Sequence, residues 1–170
     1  MLIRLAEPAD AMAVARVHVR SWQVAYKGLM PQGYLDQLRP EERAARYTFG
    51  SLDPNSPTTV VAVENTQIYG FATVALARDQ DVPGSGELYA LYVDPEWWGR
   101  GVGAQLMSAA RNRLLDLGFQ QAVLWALKGN SRAERFYAAD QWKPDGMQRT
   151  DTVWGVVVDE VRYRCTLITE

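Results

Sequence analysis

Residues 87–117 constrain the fold most, because an apolar run, a glycine-rich turn and a helical pattern follow one another without a break. Residues 88–93 are aromatic and aliphatic and are closed by Asp94-Pro95, which predicts a central strand buried on both faces. From Gly101 onward, apolar residues recur at three- and four-residue steps as far as Leu117. This pattern predicts an amphipathic helix that ends at Gly118.

The turn between this strand and this helix predicts an anion-binding site. Glycines let the main chain turn sharply and present its amides without intervening side chains. The first amides of a helix have no internal partners and lie at the positive end of its dipole, so a phosphate is the expected guest. The alternative is a glycine-rich turn that holds no ligand. The residues concerned are Trp98, Gly99, Arg100, Gly101, Val102, Gly103 and Ala104, among which Arg100 adds a formal cation.

Two common phosphate-binding patterns do not fit this turn. A Walker A loop requires Lys followed by Ser or Thr after its last glycine, whereas this chain has Ala104-Gln105. Gly99, Gly101 and Ala104 do match the dinucleotide-binding pattern GxGxxA, but that motif also needs an acidic residue at the end of the next strand. Residues 125–128, which end that strand, contain no acid. The third interpretation is a loop for the pyrophosphate of an acyl-CoA, and the stretch resembles motif A of the GCN5-related N-acetyltransferase (GNAT) family.

Length and composition predict one soluble domain that spans residues 1–170. Hydrophobic residues make up 48% of the chain and charged residues 22%, which is ordinary for a globular protein and argues against disorder. The net charge of −2 gives no support for nucleic-acid binding, and neither a signal peptide nor a membrane-spanning run is evident. We therefore expect a cytoplasmic protein with no nucleic-acid or membrane partner.

Cys165 is the only cysteine and His18 the only histidine, so neither an intrachain disulfide nor a Cys/His metal cluster can form, and no metal is expected. Cys165 lies in an alternating strand pattern and is predicted to be a small core residue. His18 lies in a predicted helix. Packing is its expected role, although a histidine beside an amine site could move protons.

The remaining patterns predict strands and helices that make a mixed α/β domain. The predicted elements are a strand at 2–5, a helix at 10–26, short helices at 31–38 and 40–47, antiparallel strands at 58–64 and 68–76, a loop at 79–86, a strand at 119–127, a helix from 130, a turn at 143–146 and a hairpin of 147–154 with 158–168. On the first helix, Trp22 and Tyr26 share a stripe that predicts core packing. Because a loop follows them, they could also wall a substrate pocket.

This order of elements resembles the GNAT fold over essentially the whole chain. Two blocks carry the resemblance, namely residues 91–95 followed by 101–103, and Asn130 with Ala133, Phe136 and Tyr137. The resemblance implies an α/β (α+β) fold with a central mixed sheet, flanked by helices, whose parallel strand pair splays apart.

The resemblance also implies acetyl-CoA as the co-substrate. The pantetheine arm would lie in the splay, paired with main chain. The family usually has Gln or Arg where this chain has Trp98, and the departure is tolerable because backbone amides hold the pyrophosphate. Asn130 would bond the amide arm of CoA or would only cap a helix. The cofactor-binding residues implied are Leu91, Tyr92, Val93, residues 98–104, Asn130, Ala133 and Phe136.

Two residues match catalytic positions of the family. Tyr137 matches the tyrosine that protonates the departing CoA thiolate; a phenol with an ordinary pKa near 10 stays protonated until a basic thiolate forms. The alternative is an aromatic core residue. Glu87 stands where relatives often carry a glutamate base, and its alternative is an exposed strand-end carboxylate. If Asp79 and Asp81 share the acceptor mouth with Glu87, their field favours a cationic amine.

We therefore expect an acetyl-CoA-dependent N-acetyltransferase in which the primary amine of a small molecule or peptide attacks the thioester directly. Backbone amides near Val93 would polarise the thioester carbonyl. The alternative is a non-catalytic acyl-CoA-binding sensor or interaction module. A homodimer is left open.

Overall fold

The computed structural model describes residues 1–168 of the chain. The strands are β1 (Leu2–Leu5), β2 (Thr58–Glu64), β3 (Gln67–Leu76), β4 (Gly86–Val93), β5 (Gln121–Leu127), β6 (Lys143–Val153) and β7 (Val156–Thr166). The helices are α1 (Ala11–Ala25), α2 (Gln32–Asp36), α3 (Pro40–Ala44), α4 (Val102–Asp116) and α5 (Ser131–Ala139), with 3₁₀ turns at Pro8–Asp10 and Pro95–Trp97. None of these helices is both long and apolar enough to span a membrane.

The strands form one mixed sheet in the order β1-β2-β3-β4-β5-β7-β6. β4 and β5 pair in parallel, and the other neighbouring pairs are antiparallel. α4 connects the two parallel strands, as the strand, turn, helix and strand pattern predicted. The predicted mixed-sheet α/β fold is confirmed.

Helices cover both faces of the sheet, and the alternation along β2 shows how. Val60 belongs to the same core as Leu106 of α4. Val61, the next residue, belongs to a separate core with Val14 and Val17 of α1. Because successive strand residues point to opposite faces, α4 covers one face and α1 the other. The central strand β4 therefore has helices on both sides, as its apolar sequence predicted.

The parallel pair splays apart after its first residues. Pairing between β4 and β5 runs from Gly86↔Ala122 to Leu88↔Leu124 and then stops. At the same point β4 bulges, because Thr73 of β3 pairs with Ala90 and the next residue, Val74, pairs with Leu88. Tyr89 is the extra residue, and such a bulge bends the strand that carries it. β4 then follows β3 to Val93 and leaves a gap beside β5, so the predicted splay is confirmed.

Element boundaries differ from the predictions mainly in the C-terminal hairpin. The turn predicted at 143–146 is wrong, because β6 already begins at Lys143. The signal came from a bulge inside this strand, where the register with β7 shifts and Gly146 adopts a φ of 85°. The true turn is Trp154-Gly155, both with positive φ. The helices predicted at 31–38 and 40–47 are shorter and end at Asp36 and Ala44.

Candidate active site

The predicted anion-binding turn lies between β4 and α4. Gly99 and Gly101 adopt φ values of 73° and 82°, in the left-handed region that glycine enters without strain. Within residues 1–168, no backbone carbonyl accepts a hydrogen bond from the amides of residues 99–104. Consecutive free amides at a helix N-terminus present several donors and the positive end of the helix dipole to one point. The turn therefore has the free donors that the predicted anion site requires, and anion binding there stays a prediction.

Trp98 fixes this turn through its side chain as well as its backbone. Its indole Nε1 donates a hydrogen bond of 2.8 Å to the carbonyl of Val93, which also accepts from Ser21 Oγ at 2.9 Å. The guanidinium of Arg132 lies over the indole, with Cζ 3.3 Å from the ring centroid. Arg132, which the sequence analysis did not single out, thereby brings a cation to the edge of the turn.

A cavity of about 460 Å³, here named the splay cavity, runs along the gap between β4 and β5 to this turn. The predicted residues that line it are Leu91, Tyr92, Val93, Trp98, Gly99, Gly101, Gly103, Ala104, Asn130, Ala133, Phe136 and Tyr137. Arg100 and Val102 are not among its lining residues. The Arg100 guanidinium lies over Trp97, 4.9 Å from the ring centroid, and Val102 is buried in the core. Their predicted contribution is therefore limited to backbone amides.

The start of α5 closes the splay cavity opposite the glycine turn. Asn130 caps this helix, because its Oδ1 accepts a hydrogen bond of 3.3 Å from the Ala133 amide. The Phe136 ring lies against α4 so closely that a Cβ on Gly103 would stand 3.2 Å from it. The glycine at 103 is therefore required by the close approach of these two helices.

Tyr137 also lies in the splay cavity, packed against Phe136 and Tyr163 with ring centroids 5.7 and 5.6 Å away. Burial, with the nearby phenols of Tyr92 and Tyr163, raises the pKa of Tyr137 well above its usual value. The phenol consequently stays protonated at neutral and moderately alkaline pH.

A second cavity of about 420 Å³, here named the aromatic cavity, lies on the α1 side of the sheet. It shares residues 88–90, Tyr92 and Trp125 with the splay cavity, so the two meet where β4 leaves β5. Trp22 lines the aromatic cavity, and Tyr26 lines both. Both residues are buried, so they pack in the core and also form part of a cavity wall. Contact with a substrate stays a prediction.

His18 lies at the centre of the aromatic cavity wall. Its ring stacks on Tyr92 at 4.7 Å and tilts against Trp154 at 5.1 Å, and its Nδ1 lies 3.0 Å from the Tyr47 hydroxyl. Burial and then the charge of Arg43 lower the pKa of His18 well below its usual value. The imidazole is therefore neutral at pH 7 and firmly packed.

Glu87 lines the aromatic cavity and is 1% exposed, so the interpretation as an exposed strand-end carboxylate is wrong. Its Oε2 accepts from the Arg78 guanidinium at 2.7 Å and its Oε1 from the Arg78 backbone amide at 3.3 Å. The Arg78 side chain is 60% exposed, so solvent reaches this ion pair from one side. Arg78 thereby fixes the position of this carboxylate in the aromatic cavity, one residue before the stretch of β4 that both cavities share.

Asp79 and Asp81 do not share this site, so the predicted acidic acceptor mouth is wrong. The buried guanidinium of Arg162 binds Asp81 at 2.6 and 2.8 Å and Asp79 at 3.2 Å. Asp79 also accepts from the indole of Trp125 at 2.8 Å. These acids tie the β3–β4 loop to β7, and Arg162 also binds Asp145 at 2.7 Å, so one guanidinium is shared by three carboxylates. The sequence could not reveal this partner, which lies more than eighty residues away.

The sequence analysis missed most of the side chains that wall the aromatic cavity. The missed residues include Arg43, Tyr47, Phe49, Arg78, Arg149 and Trp154. They come from the α3 segment, the β3–β4 loop and the β6–β7 hairpin. Among these residues, only Trp154 could have been suspected from the sequence, because it precedes the glycine of the predicted hairpin turn.

The splayed parallel pair and the glycine turn at the N-terminus of α4 are the features expected of an acetyltransferase of the GNAT type. A family model described as "Acetyltransferase (GNAT) family" matches residues 19–141. The chain belongs to the GNAT acetyltransferase family and is an acetyltransferase enzyme. The resemblance found in its motifs is confirmed.

Three similar proteins illustrate the match. The chain is 30% identical over 128 residues to the uncharacterized N-acetyltransferase YuaI of Bacillus subtilis (strain 168), covering 75% of this chain and 72% of YuaI. It is 31% identical over 144 residues to an uncharacterized N-acetyltransferase of Archaeoglobus fulgidus, covering 82% and 90%. The structure of yncA from Salmonella typhimurium with acetyl-CoA has a TM-score of 0.73 and 19% identity over 100% of this chain and 95% of that one. The last likeness concerns the fold.

Proposed function

We propose that this protein is an acetyl-CoA-dependent N-acetyltransferase in which a primary amine of a small molecule or peptide attacks the thioester directly. The observation that carries the proposal is that the splay cavity and the aromatic cavity meet at β4, beside Tyr92. The splay cavity would bind the acyl donor and the aromatic cavity the amine. The two reactants would then be held next to each other in a fixed orientation. A cytoplasmic location remains a prediction.

The splay cavity fits the shape and chemistry of CoA. The free amides of residues 99–104 would hold the pyrophosphate, with Arg132 close by as a counter-charge. The edge of β4 from Leu91 to Val93 has no pairing with β5, so its main chain would bind the amides of the pantetheine arm. CoA bound in this way would place its acyl group near Tyr92, where the splay cavity meets the aromatic cavity.

Tyr137 would act as the general acid. Its raised pKa keeps the proton on the phenol, and its place in the splay cavity is on the donor side of the junction. As the amine attacks, the carbon–sulfur bond of the thioester breaks and the sulfur takes the electron pair. Burial would raise the pKa of the departing thiol as it does that of the phenol, so the phenol would then donate its proton to that thiolate.

Glu87 would receive the proton that the attacking amine loses. Its carboxylate lines the acceptor side, but both oxygens already accept from Arg78. The transfer therefore runs most easily through a water that shares the exposed side of this ion pair. Arg78 would orient the carboxylate toward the junction.

A turnover screen tests this function. Purified protein with acetyl-CoA is offered small amines, peptides and aminoglycosides, and free CoA thiol is measured. We expect thiol release with at least one amine and mass gain of one acetyl group on that amine. Tight CoA binding without acetylation of any amine would instead support the sensor or interaction module.

A further inference from the structure

Arg43 and Arg46 line the aromatic cavity and have no counter-charge within residues 1–168, and Arg43 is the one that packs on aromatic rings. Within residues 1–168 Arg43 forms no ion pair, and its Nε is buried without a partner. The polar group beside it is the Tyr47 hydroxyl, whose pKa burial raises and this guanidinium partly lowers. The Arg43 Cζ lies 5.0 Å from the Trp154 ring centroid and 5.8 Å from that of Tyr47. Packing of this kind orients the guanidinium plane and leaves its Nη donors without a carboxylate partner among the described residues.

The acids that line the same cavity are already paired with other arginines. Glu87 binds Arg78 at 2.7 Å. Glu160 binds Arg149 at 3.0 Å, and Asp151 lies 3.4 Å from the same guanidinium. His18 contributes no charge, because its lowered pKa leaves the imidazole neutral. The cavity wall therefore carries more positive than negative charge. In the part that the structure describes, Arg43 is an unpaired arginine of this wall that lies among aromatic rings.

Trp22 forms the wall of the cavity next to Arg43. It is 3% exposed, and its indole Nε1 lies beside the Tyr92 hydroxyl without a hydrogen bond of normal geometry within the described part of the chain. Trp22 packs edge-on against Trp154, the ring that Arg43 covers, with centroids 4.9 Å apart. Both nitrogens, the Arg43 Nε and the Trp22 Nε1, are covered by protein, so a ligand in the cavity would pair with the Nη atoms of the Arg43 guanidinium, and Trp22 and Trp154 form the aromatic wall on that side.

We propose that the acceptor amine also carries a carboxylate, which Arg43 binds. This inference rests on the proposed function and adds the substrate class. A planar guanidinium matches a carboxylate in a two-bond fork, and the surrounding rings exclude water and strengthen that pairing. The amine end would lie toward Tyr92 and Glu87, and the carboxylate end toward Arg43 and Trp154.

Binding of carboxylates without an amine tests the inference apart from catalysis. Acetate, 3-phenylpropionate and 4-phenylbutyrate, each with its neutral amide, are titrated calorimetrically into the wild type and into Arg43→Gln, Arg43→Lys and Arg16→Gln. Arg16 is exposed on α1 and lines neither cavity, so its replacement removes the same charge elsewhere. We expect at least one acid to bind the wild type, at least tenfold tighter than its amide, and to lose about tenfold or more in Arg43→Gln.

Arg43→Lys, which keeps the charge but not the fork, should fall between the two, and Arg16→Gln should match the wild type. If no acid binds the wild type, or if acids bind Arg43→Gln as well as the wild type, the inference is overturned. Should Arg43→Gln fail to fold, Arg43→Lys and the acid-to-amide ratio in the wild type decide the question.

Turnover with α-, β- and γ-amino acids and their carboxamides separates the two proposals. Preference for the acids, lost in Arg43→Gln, supports both. Equal turnover of acids and carboxamides overturns the substrate class and leaves the acetyltransferase function in place. Carboxylate binding at Arg43 without acetylation of any amine overturns the function and leaves the carboxylate site in place.

Discussion

The splay cavity and the aromatic cavity meet at one strand, yet the chain builds them in opposite ways. The splay cavity is lined mostly by two compact segments, residues 88–104 and 124–137, and it ends at a main-chain site, the free amides of residues 99–104. The aromatic cavity is made of side chains from α1, the α3 segment, the β3–β4 loop and the C-terminal hairpin. A site of backbone amides and glycines can be read from a local motif. A site of side chains from distant segments depends on how those segments pack, and it can change without changing the fold.

The largest effect should come from introducing one side chain next to the free amides of residues 99–104. In Gly103→Glu the Cβ would stand 3.2 Å from Phe136, and a carboxylate would enter the amide cluster where the pyrophosphate is expected. We expect CoA affinity, measured by calorimetry, to fall on the order of 10²-fold or more, through displaced packing and charge repulsion. Ser108→Glu adds the same charge on an exposed position of α4 and should bind normally. Normal affinity in a folded Gly103→Glu protein would refute the anion site.

The same contrast explains what could be predicted from sequence. The glycines at 99 and 101, the strand before them and the helix after them form one continuous pattern, so the turn was predictable. The sheet class and the candidate role of Tyr137 came from the family resemblance, and the role stays a prediction. The partners of Glu87, Asp79 and His18 were not, because each is a side chain brought in by tertiary packing. Arg78 and Arg162 give no local signal, since an arginine in a strand or loop is ordinary.

Tyr137→Phe sharpens the comparison, because it tests the contribution of one side chain in the splay cavity. The ring and its packing remain, but the proton is lost, so turnover should fall about 10²-fold with little change in acetyl-CoA affinity. Because the pKa of Tyr137 is raised, wild-type turnover should not decline from phenol ionisation up to about pH 10. Tyr163→Phe, which removes a neighbouring hydroxyl outside both cavities, is the control. Turnover within a few-fold of wild type would make Tyr137 a packing residue.

Glu87→Gln tests the junction between the two cavities. The amide keeps the size of the side chain and an acceptor for Arg78, but it cannot take a proton. We expect about tenfold lower turnover at low pH, where the amine is protonated, and a smaller loss as pH rises and free amine accumulates. The measurement is a pH profile of turnover for both proteins at saturating acetyl-CoA. Parallel profiles would mean that Glu87 only holds Arg78 and that solvent takes the proton.

The smallest effect concerns whether water enters the aromatic cavity. The pH dependence of the free energy of unfolding tests this, because it depends on the pKa of His18. Burial lowers its pKa well below 6.5 in the folded protein, whereas in the unfolded chain it binds a proton below about pH 6.5. Below that pH the unfolded state holds more protons, so stability rises with pH there. The contribution is fully present above pH 6.5, and between about pH 7.5 and 5.8 it should decrease by about 1 kcal/mol.

Urea unfolding at these two pH values measures this loss, and His18 is the only histidine, so few other groups titrate in the interval. In His18→Gln the pH dependence should nearly vanish, even though the variant itself is less stable at both values. If the wild type loses no stability on acidification, the imidazolium is tolerated inside the fold. The aromatic cavity would then be open to water, and a carboxylate at Arg43 would gain less from its surroundings than the packing of Trp154 and Tyr47 implies.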